Sequence, residues 1–199
     1  MIICVPITAD TWIDAVSPDL NLGSLDSVEV RVLNLGGAKS EIARTLLYAA
    51  IPPEVISASI YAAFLCIYWN FIDASATATI YRVIRTGWTE TGATYNKYDG
   101  VNVWGTAGCS NTTTDYDATE NVGFVTPAAV SWQEIPITAW LKDIIDNHSR
   151  EMHMKIQLAN ETSGTNIGGQ IISRHNAVLW WGRPYIKIVC PPFGKPMEV

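Results

Sequence analysis

Val55-Ile56-Ser57-Ala58-Ser59-Ile60-Tyr61-Ala62-Ala63-Phe64-Leu65-Cys66-Ile67-Tyr68-Trp69-Asn70-Phe71-Ile72 runs without a charged residue. Its length sits at the lower limit for a membrane-spanning helix, but its pattern does not fit one. Ile56, Ala58 and Ile60 alternate with Ser57, Ser59 and Tyr61, and a period of two is the mark of a strand. From Ala62 onward both faces are apolar, with Phe64, Cys66 and Tyr68 opposed by Leu65, Ile67 and Trp69. A strand of that kind lies between layers or at a subunit interface. Leu65, Ile67 and Trp69 are accordingly the expected interface residues, and no membrane partner is expected.

Working outward, strands are expected at Ile2 to Ile7, Thr11 to Asp14, Ser27 to Leu33, Ile42 to Ala50 and Thr77 to Arg85. They are punctuated by the turn-forming loop Ser17-Pro18-Asp19-Leu20-Asn21-Leu22-Gly23, by Gly36-Gly37 and by Pro52-Pro53. Residues 87–127 are rich in Thr, Gly, Asn, Asp and aromatics, which predicts loops with one or two short strands. Strands follow at Ser131 to Ile137, Met152 to Ala159, Ile167 to Ser173 and Pro184 to Cys190. Between them Thr138 to Asn147 predicts a single short helix, with Thr138 as N-cap and Trp140, Leu141, Ile144 and Ile145 on one face. Short strands joined by long loops, with one short helix, predict an all-β chain: an antiparallel β-sandwich of jelly-roll type. No repeat or composition step divides it, so residues 1–199 read as one domain.

The chain has 48% hydrophobic and 16% charged residues and a net charge of −6. That excludes disorder, and with no basic run it argues against nucleic acid as a partner. The N-terminus lacks a basic segment followed by an apolar core, and the chain reads as made in a cytosol. Cys4, Cys66, Cys109 and Cys190 show no zinc-ligand spacing. They read as core thiols, although Cys4 and Cys190 lie in terminal strands that a sandwich can bring side by side.

The sequence contains no nucleophile elbow, P-loop, dinucleotide fingerprint or His-Glu-x-x-His motif. His148, His153 and His175 lack a nearby nucleophile signature and read as surface or rim residues. Paired carboxylates for glycoside chemistry, for instance Glu90 with Asp115 or Asp117, are compatible with the spacing, and solvated loop acids are the simpler reading. No enzyme activity and no cofactor are expected. Asp99, Asp115, Tyr116 and Asp117 nonetheless offer the hard oxygen donors of a structural calcium site. The sequons at Asn111, Asn147 and Asn160 read as chance in a Thr-rich chain.

Trp88, Tyr95, Tyr98 and Trp104 fall close together in a polar, Gly-rich segment. As exposed rings beside Asn and Asp they would stack on sugars, which makes them the candidate glycan-binding set; folded inward, they would plug the core. Trp180-Trp181, if in a strand, would place one ring in the core and the other at a rim.

Ala9-Asp10-Thr11-Trp12-Ile13-Asp14 with Ser17 to Gly23 resembles the opening of DNRLRE domains, the disaggregatase-related family. Arg44-Thr45-Leu46-Leu47-Tyr48, Ile51-Pro52 and Ile56 to Tyr61 resemble its next strands. Thr79-Ile80-Tyr81-Arg82-Val83 leads into Trp88-Thr89-Glu90-Thr91-Gly92-Ala93-Thr94-Tyr95-Asn96, which is similar to the family's Trp-x-Glu-Gly-x-Ala-Thr-Trp-Asn signature with Tyr95 where Trp is usual. Trp104, Trp132, the helix from Thr138, Ser173-Arg174 and Arg183-Pro184-Tyr185-Ile186 extend the likeness over nearly the whole chain. The resemblance implies a non-catalytic jelly-roll module, found in secreted proteins, in some cases linked to polysaccharide binding, and also among phage structural proteins.

Two functions are therefore expected. The first is a virion structural protein, a capsid decoration or cement subunit or another virion-surface component. It would be made in a host cytoplasm and act through contacts with other virion proteins and with copies of itself. The alternative is a carbohydrate-binding module on a cell surface or in a phage adhesion device.

Overall fold

The structure is a computed structural model that describes residues 1–36 and 40–191. Gly37 of the expected Gly36-Gly37 break and residues 192–199 lie outside the described residues. The strands are β1 (Ile2–Pro6), β2 (Ala9–Asp14), β3 (Ser27–Asn34), β4 (Ser40–Ala50), β5 (Ala62–Ala74), β6 (Thr77–Val83), β7 (Tyr116–Val125), β8 (Ser131–Pro136), β9 (Glu151–Leu158), β10 (Ile167–Ile172) and β11 (Tyr185–Val189). Among the described residues one α-helix, α1 (Thr138–Asn147), interrupts the series. The chain is all-β and sandwich-like, as its pattern predicts, and all the pairings between strands are antiparallel.

Two long strands shape the sheet. Along one edge β5 pairs first with β11 (Ala62–Cys66) and then with β10 (Trp69–Ala74), while β8 takes its other edge. In the same way β4 pairs first with β3 and then with β9, with β2 opposite. A block β1-β11-β5-β8 is thus joined through β10-β3 to a block β2-β4-β9-β6-β7, and the curled sheet encloses one core.

Leu65, Ile67 and Trp69 are fully buried in that core with Val30, Leu47, Ile80, Met154 and Ile186. Trp69 Nε1 donates to Gln133 Oε1 at 2.8 Å. This corrects their assignment as interface residues: the chain's own curled sheet covers them. α1 closes the core with Trp140, Leu141, Ile144 and Ile145, the stripe its periodicity predicts. The expected cap differs, since Ile137 occupies the N-cap position and Thr138 Oγ1 accepts from Ala63 N–H at 2.9 Å, tying the helix to β5. No helix of the described residues is long and apolar enough to cross a membrane.

Residues 56–60 are not a strand. A 3₁₀ turn occupies Ser57–Ser59, with Ile60 N–H donating to Ser57 O, and it leaves Ile56 exposed and Ile60 buried. β1 and β11 are neighbours, as expected of the terminal segments, but Cys4 faces Lys187 while Val189, the residue before Cys190, faces Ile2. The register separates the two thiols, and all four cysteines are free.

Candidate functional site

The segment between β6 and β7 folds as a roof over the outer face of β2, β4, β9 and β6. Trp88, Ala93, Trp104 and Cys109 form a second apolar cluster there with Ile13, Leu46 and Val83, and Tyr95 and Tyr98 pack against it. Trp104 Nε1 donates to Thr94 O at 2.9 Å, and Tyr98 lies 5.7 Å from the Trp104 ring. The fold therefore brings Trp88, Tyr95, Tyr98 and Trp104 together, but as packing. Trp88 is 6% and Trp104 3% exposed and Tyr95 and Tyr98 are half-buried, so of the two readings the set folds inward as a plug, and its assignment as an exposed glycan platform is corrected.

Charged groups clamp this roof from both sides. The buried Asp115 carboxylate accepts from the N–H groups of Gly105, Thr106 and Asn111 at 2.7–3.1 Å. From the sheet, Lys155 Nζ donates to Cys109 O at 2.8 Å, and Arg44 donates to Gly108 O and Ser110 Oγ. Gly108 has φ +77°, and a Cβ there would lie 2.6 Å from Arg44 Nη1 and 2.7 Å from the Tyr95 ring, so any other residue would be strained and would push these side chains aside. Glu90 accepts from Arg174 and from Asp10 N–H, while Asn21 Nδ2 donates to Glu90 O and Ala93 O, both at 2.8 Å. Asp10, Asn21, Glu90 with Ala93, and Arg174, far apart in the sequence, thus meet where the roof joins the sheet.

Asp99 and Asp117 are used locally, accepting from Val101 and Asn102 N–H and from Thr119 N–H respectively. Among the described residues, potential metal ligands converge at Asp10, Glu90 and His175 and at Glu120, Asp143 and His148. Neither group contains an expected calcium donor. In both, carboxylates are already engaged, Glu90 by Arg174 and Glu120 by Arg82.

The exposed aromatic surface lies elsewhere, on the outer face of β8, β5 and β11. Alternation that points Leu65, Ile67 and Trp69 inward points Phe64, Cys66 and Tyr68 outward. Register sets Tyr68 beside Trp132, and Cys66 between Glu134 and Tyr185. Tyr68 lies 5.6 Å from Trp132 and 4.7 Å from Trp181, and Trp132 lies 5.7 Å from Tyr185, all edge to face. Cys66 is buried beneath the rings that meet across β5, and burial pushes its thiol pKa up. Burial, then the bond to Cys66, pushes the Tyr185 phenol up to about 12. Lys187 pairs with Glu134, and this bond raises its pKa.

Trp180-Trp181 do not straddle a strand as expected. They lie in a 3₁₀ turn (Trp180–Gly182) in which both rings are exposed, Trp180 by 67% and Trp181 by 46%. The turn is held firmly. Asn176 Oδ1 accepts from Val178 and Leu179 N–H at 3.1 and 2.7 Å, Asn176 Nδ2 donates to Asp26 O at 3.2 Å, and Arg183 donates twice to Asn176 O. Gly182 allows the turn to sit down on Tyr68 and Ile172, since a Cβ there would already be 3.3 Å from both side chains. Val178, 81% exposed, extends the apolar surface. Doubled tryptophans hinted at this site, but only the long-range seating of the turn on Tyr68 creates it. No family model matches the chain, and no curated protein matches it.

Proposed function

We propose that the chain is a non-catalytic structural subunit that works by packing the Trp132-Tyr68-Trp181-Tyr185 face against a protein neighbour, first of all another copy of itself. Phage structural proteins are among the contexts that the DNRLRE resemblance implies, and within this proposal we place the subunit on a virion surface, as a decoration or cement component. The observation that carries the proposal is a contiguous apolar surface in which the half-buried Tyr68 and Tyr185 of the strands join the exposed Trp132, Val178, Trp180 and Trp181, the last two fixed on an ordered turn.

Tryptophan and tyrosine dominate the energetics of protein interfaces, and rings fixed before contact lose little entropy on binding. The geometry favours a protein over a sugar chain. The rings meet at interplanar angles of 63–70°, which provides no common plane for sugars to lie on. The neighbouring polar pair, Lys187 and Glu134, is already engaged with itself.

Sedimentation equilibrium of the wild type and of Trp181→Asp tests this. The expected result is concentration-dependent association by the wild type that weakens by about tenfold or more in the variant, the loss of an interface anchor. A wild type that stays monomeric at high concentration while binding on a glycan array would replace this reading with the carbohydrate-binding one.

A further inference from the structure

A second feature lies on the other block of the sheet, away from the aromatic face. Where the roof ends, a cleft of about 250 Å³ is lined by Ala9, Tyr48, Thr86, Trp88, Glu151 and His153. A neighbouring cleft of about 290 Å³ shares Thr86, Glu151 and His153 and reaches Arg82 and His148. The register of β4 and β9 sets Tyr48 opposite His153. Their ring centres lie 4.5 Å apart with the planes tilted by 34°, and Trp88 meets the imidazole edge to face at 6.1 Å.

His153 is 7% exposed, yet among the described residues neither ring nitrogen has a hydrogen-bond partner, and Glu151 Oε2 is 3.6 Å from Nε2. A buried polar group without a partner costs about 1–3 kcal/mol, and each one in a folded protein calls for an explanation, a partner yet to bind among them. Burial lowers the His153 pKa, against the raising effect of Glu151, and a neutral imidazole has one nitrogen that accepts a hydrogen bond.

The surroundings specify the partner's charge. The half-exposed Glu151 has no Lys or Arg within 4.0 Å among the described residues, only His153. At the adjoining cleft Arg82 is shared by Asp117 and Glu120, and His148 lies between Glu120 and Asp143. Carboxylates therefore outnumber permanent cations, and an anion would be repelled. A metal ion would find only Glu151 and His153, fewer than the three or more protein ligands that metal sites use. Aromatic rings, a carboxylate without a cation and an imidazole lone pair are together the complement of an organic cation.

We propose that this cleft binds an alkylammonium group, with Glu151 as its counter-ion, the Tyr48 and Trp88 rings as its apolar wall and a His153 nitrogen as its hydrogen-bond acceptor. A free amine and a lysine side chain of a protein partner share this chemistry.

Titration of the ¹³C-labelled chain, reading the His153 ring resonances by NMR, tests the site with n-butylammonium, a lysine-containing peptide, n-butanol and glucose. The expected result is a saturable shift with n-butylammonium and none with the two neutral compounds. Glu151→Gln, at a half-exposed position that leaves the fold intact by its amide spectrum, should weaken binding about tenfold. A peptide that binds more tightly than n-butylammonium would identify a protein source, and equal binding a free amine. Equal response to n-butanol or glucose, no response to any of the four, or unchanged binding by Glu151→Gln would overturn the proposal. None of these outcomes depends on the aromatic face, so this site and the proposed assembly stand or fall separately.

Discussion

Lys155 carries the most unusual electrostatics of any single residue here. Its ammonium is fully buried, 3.3 Å from the centre of the Tyr116 ring, and its one hydrogen bond goes to Cys109 O. Burial pulls its pKa down to about 7, against about 10.5 in an unfolded chain. Between these values the unfolded chain binds a proton that the folded chain does not, so stability rises as pH rises through this window. Cys109 acts in the opposite sense from about pH 9 upward, because burial pushes its thiol up to about 12 and only the unfolded thiol ionises. The separation is therefore cleanest between about pH 7 and 8.5, where urea unfolding of the wild type should gain roughly 1–2 kcal/mol relative to Lys155→Met. Parallel pH profiles of the two proteins would show that Lys155 is charged throughout. The strand from Met152 to Ala159 was legible. That a roof from residues 84–115 covers its polar side chains, His153 and Lys155, was not, because it depends on contacts such as Lys155 to Cys109 that no local pattern encodes.

At the level of the element, β5 shows what periodicity can and cannot give. Two apolar faces were legible from Ala62 onward, but Phe64, Cys66 and Tyr68 are as hydrophobic as Leu65, Ile67 and Trp69. Only the partners decide which set turns inward. Upstream, Ile56, Ala58 and Ile60 alternate with polar residues by coincidence; after Pro52-Pro53 the backbone closes a 3₁₀ turn, and Val55 and Ile60 are the buried pair. The assignment of faces makes opposite predictions for two substitutions. Leu65→Ala leaves a cavity in the closed core and should cost about 2–5 kcal/mol in denaturant unfolding. Trp180→Ser removes a larger side chain but from the exposed turn, and should change monomer stability by no more than about 0.5 kcal/mol. A large loss for Trp180→Ser with little for Leu65→Ala would reverse the faces described here.

For the whole molecule, the two outer surfaces have been treated differently by the fold. One block of the sheet carries its aromatic residues under a roof clamped by Asp115, Arg44 and Lys155, whereas the other leaves Trp132, Trp180 and Trp181 in the open. The same residue types occur in both segments, so composition alone did not separate them, and the exposed set was not the one the aromatic-rich loop suggested. If association occurs through that apolar face, its dependence on salt follows from the net charge of −6. Like-charged copies repel one another, and this repulsion is screened as the Debye length falls from about 10 Å at 0.1 M to about 3 Å at 1 M salt. Burial of the tryptophans is not screened. Sedimentation of the wild type should therefore show association unchanged or strengthened on going from about 0.1 to 1 M NaCl. Dissociation over that range would mean that ion pairs hold the copies together, and would move the contact away from the tryptophan face to a charged surface such as the one around Glu151.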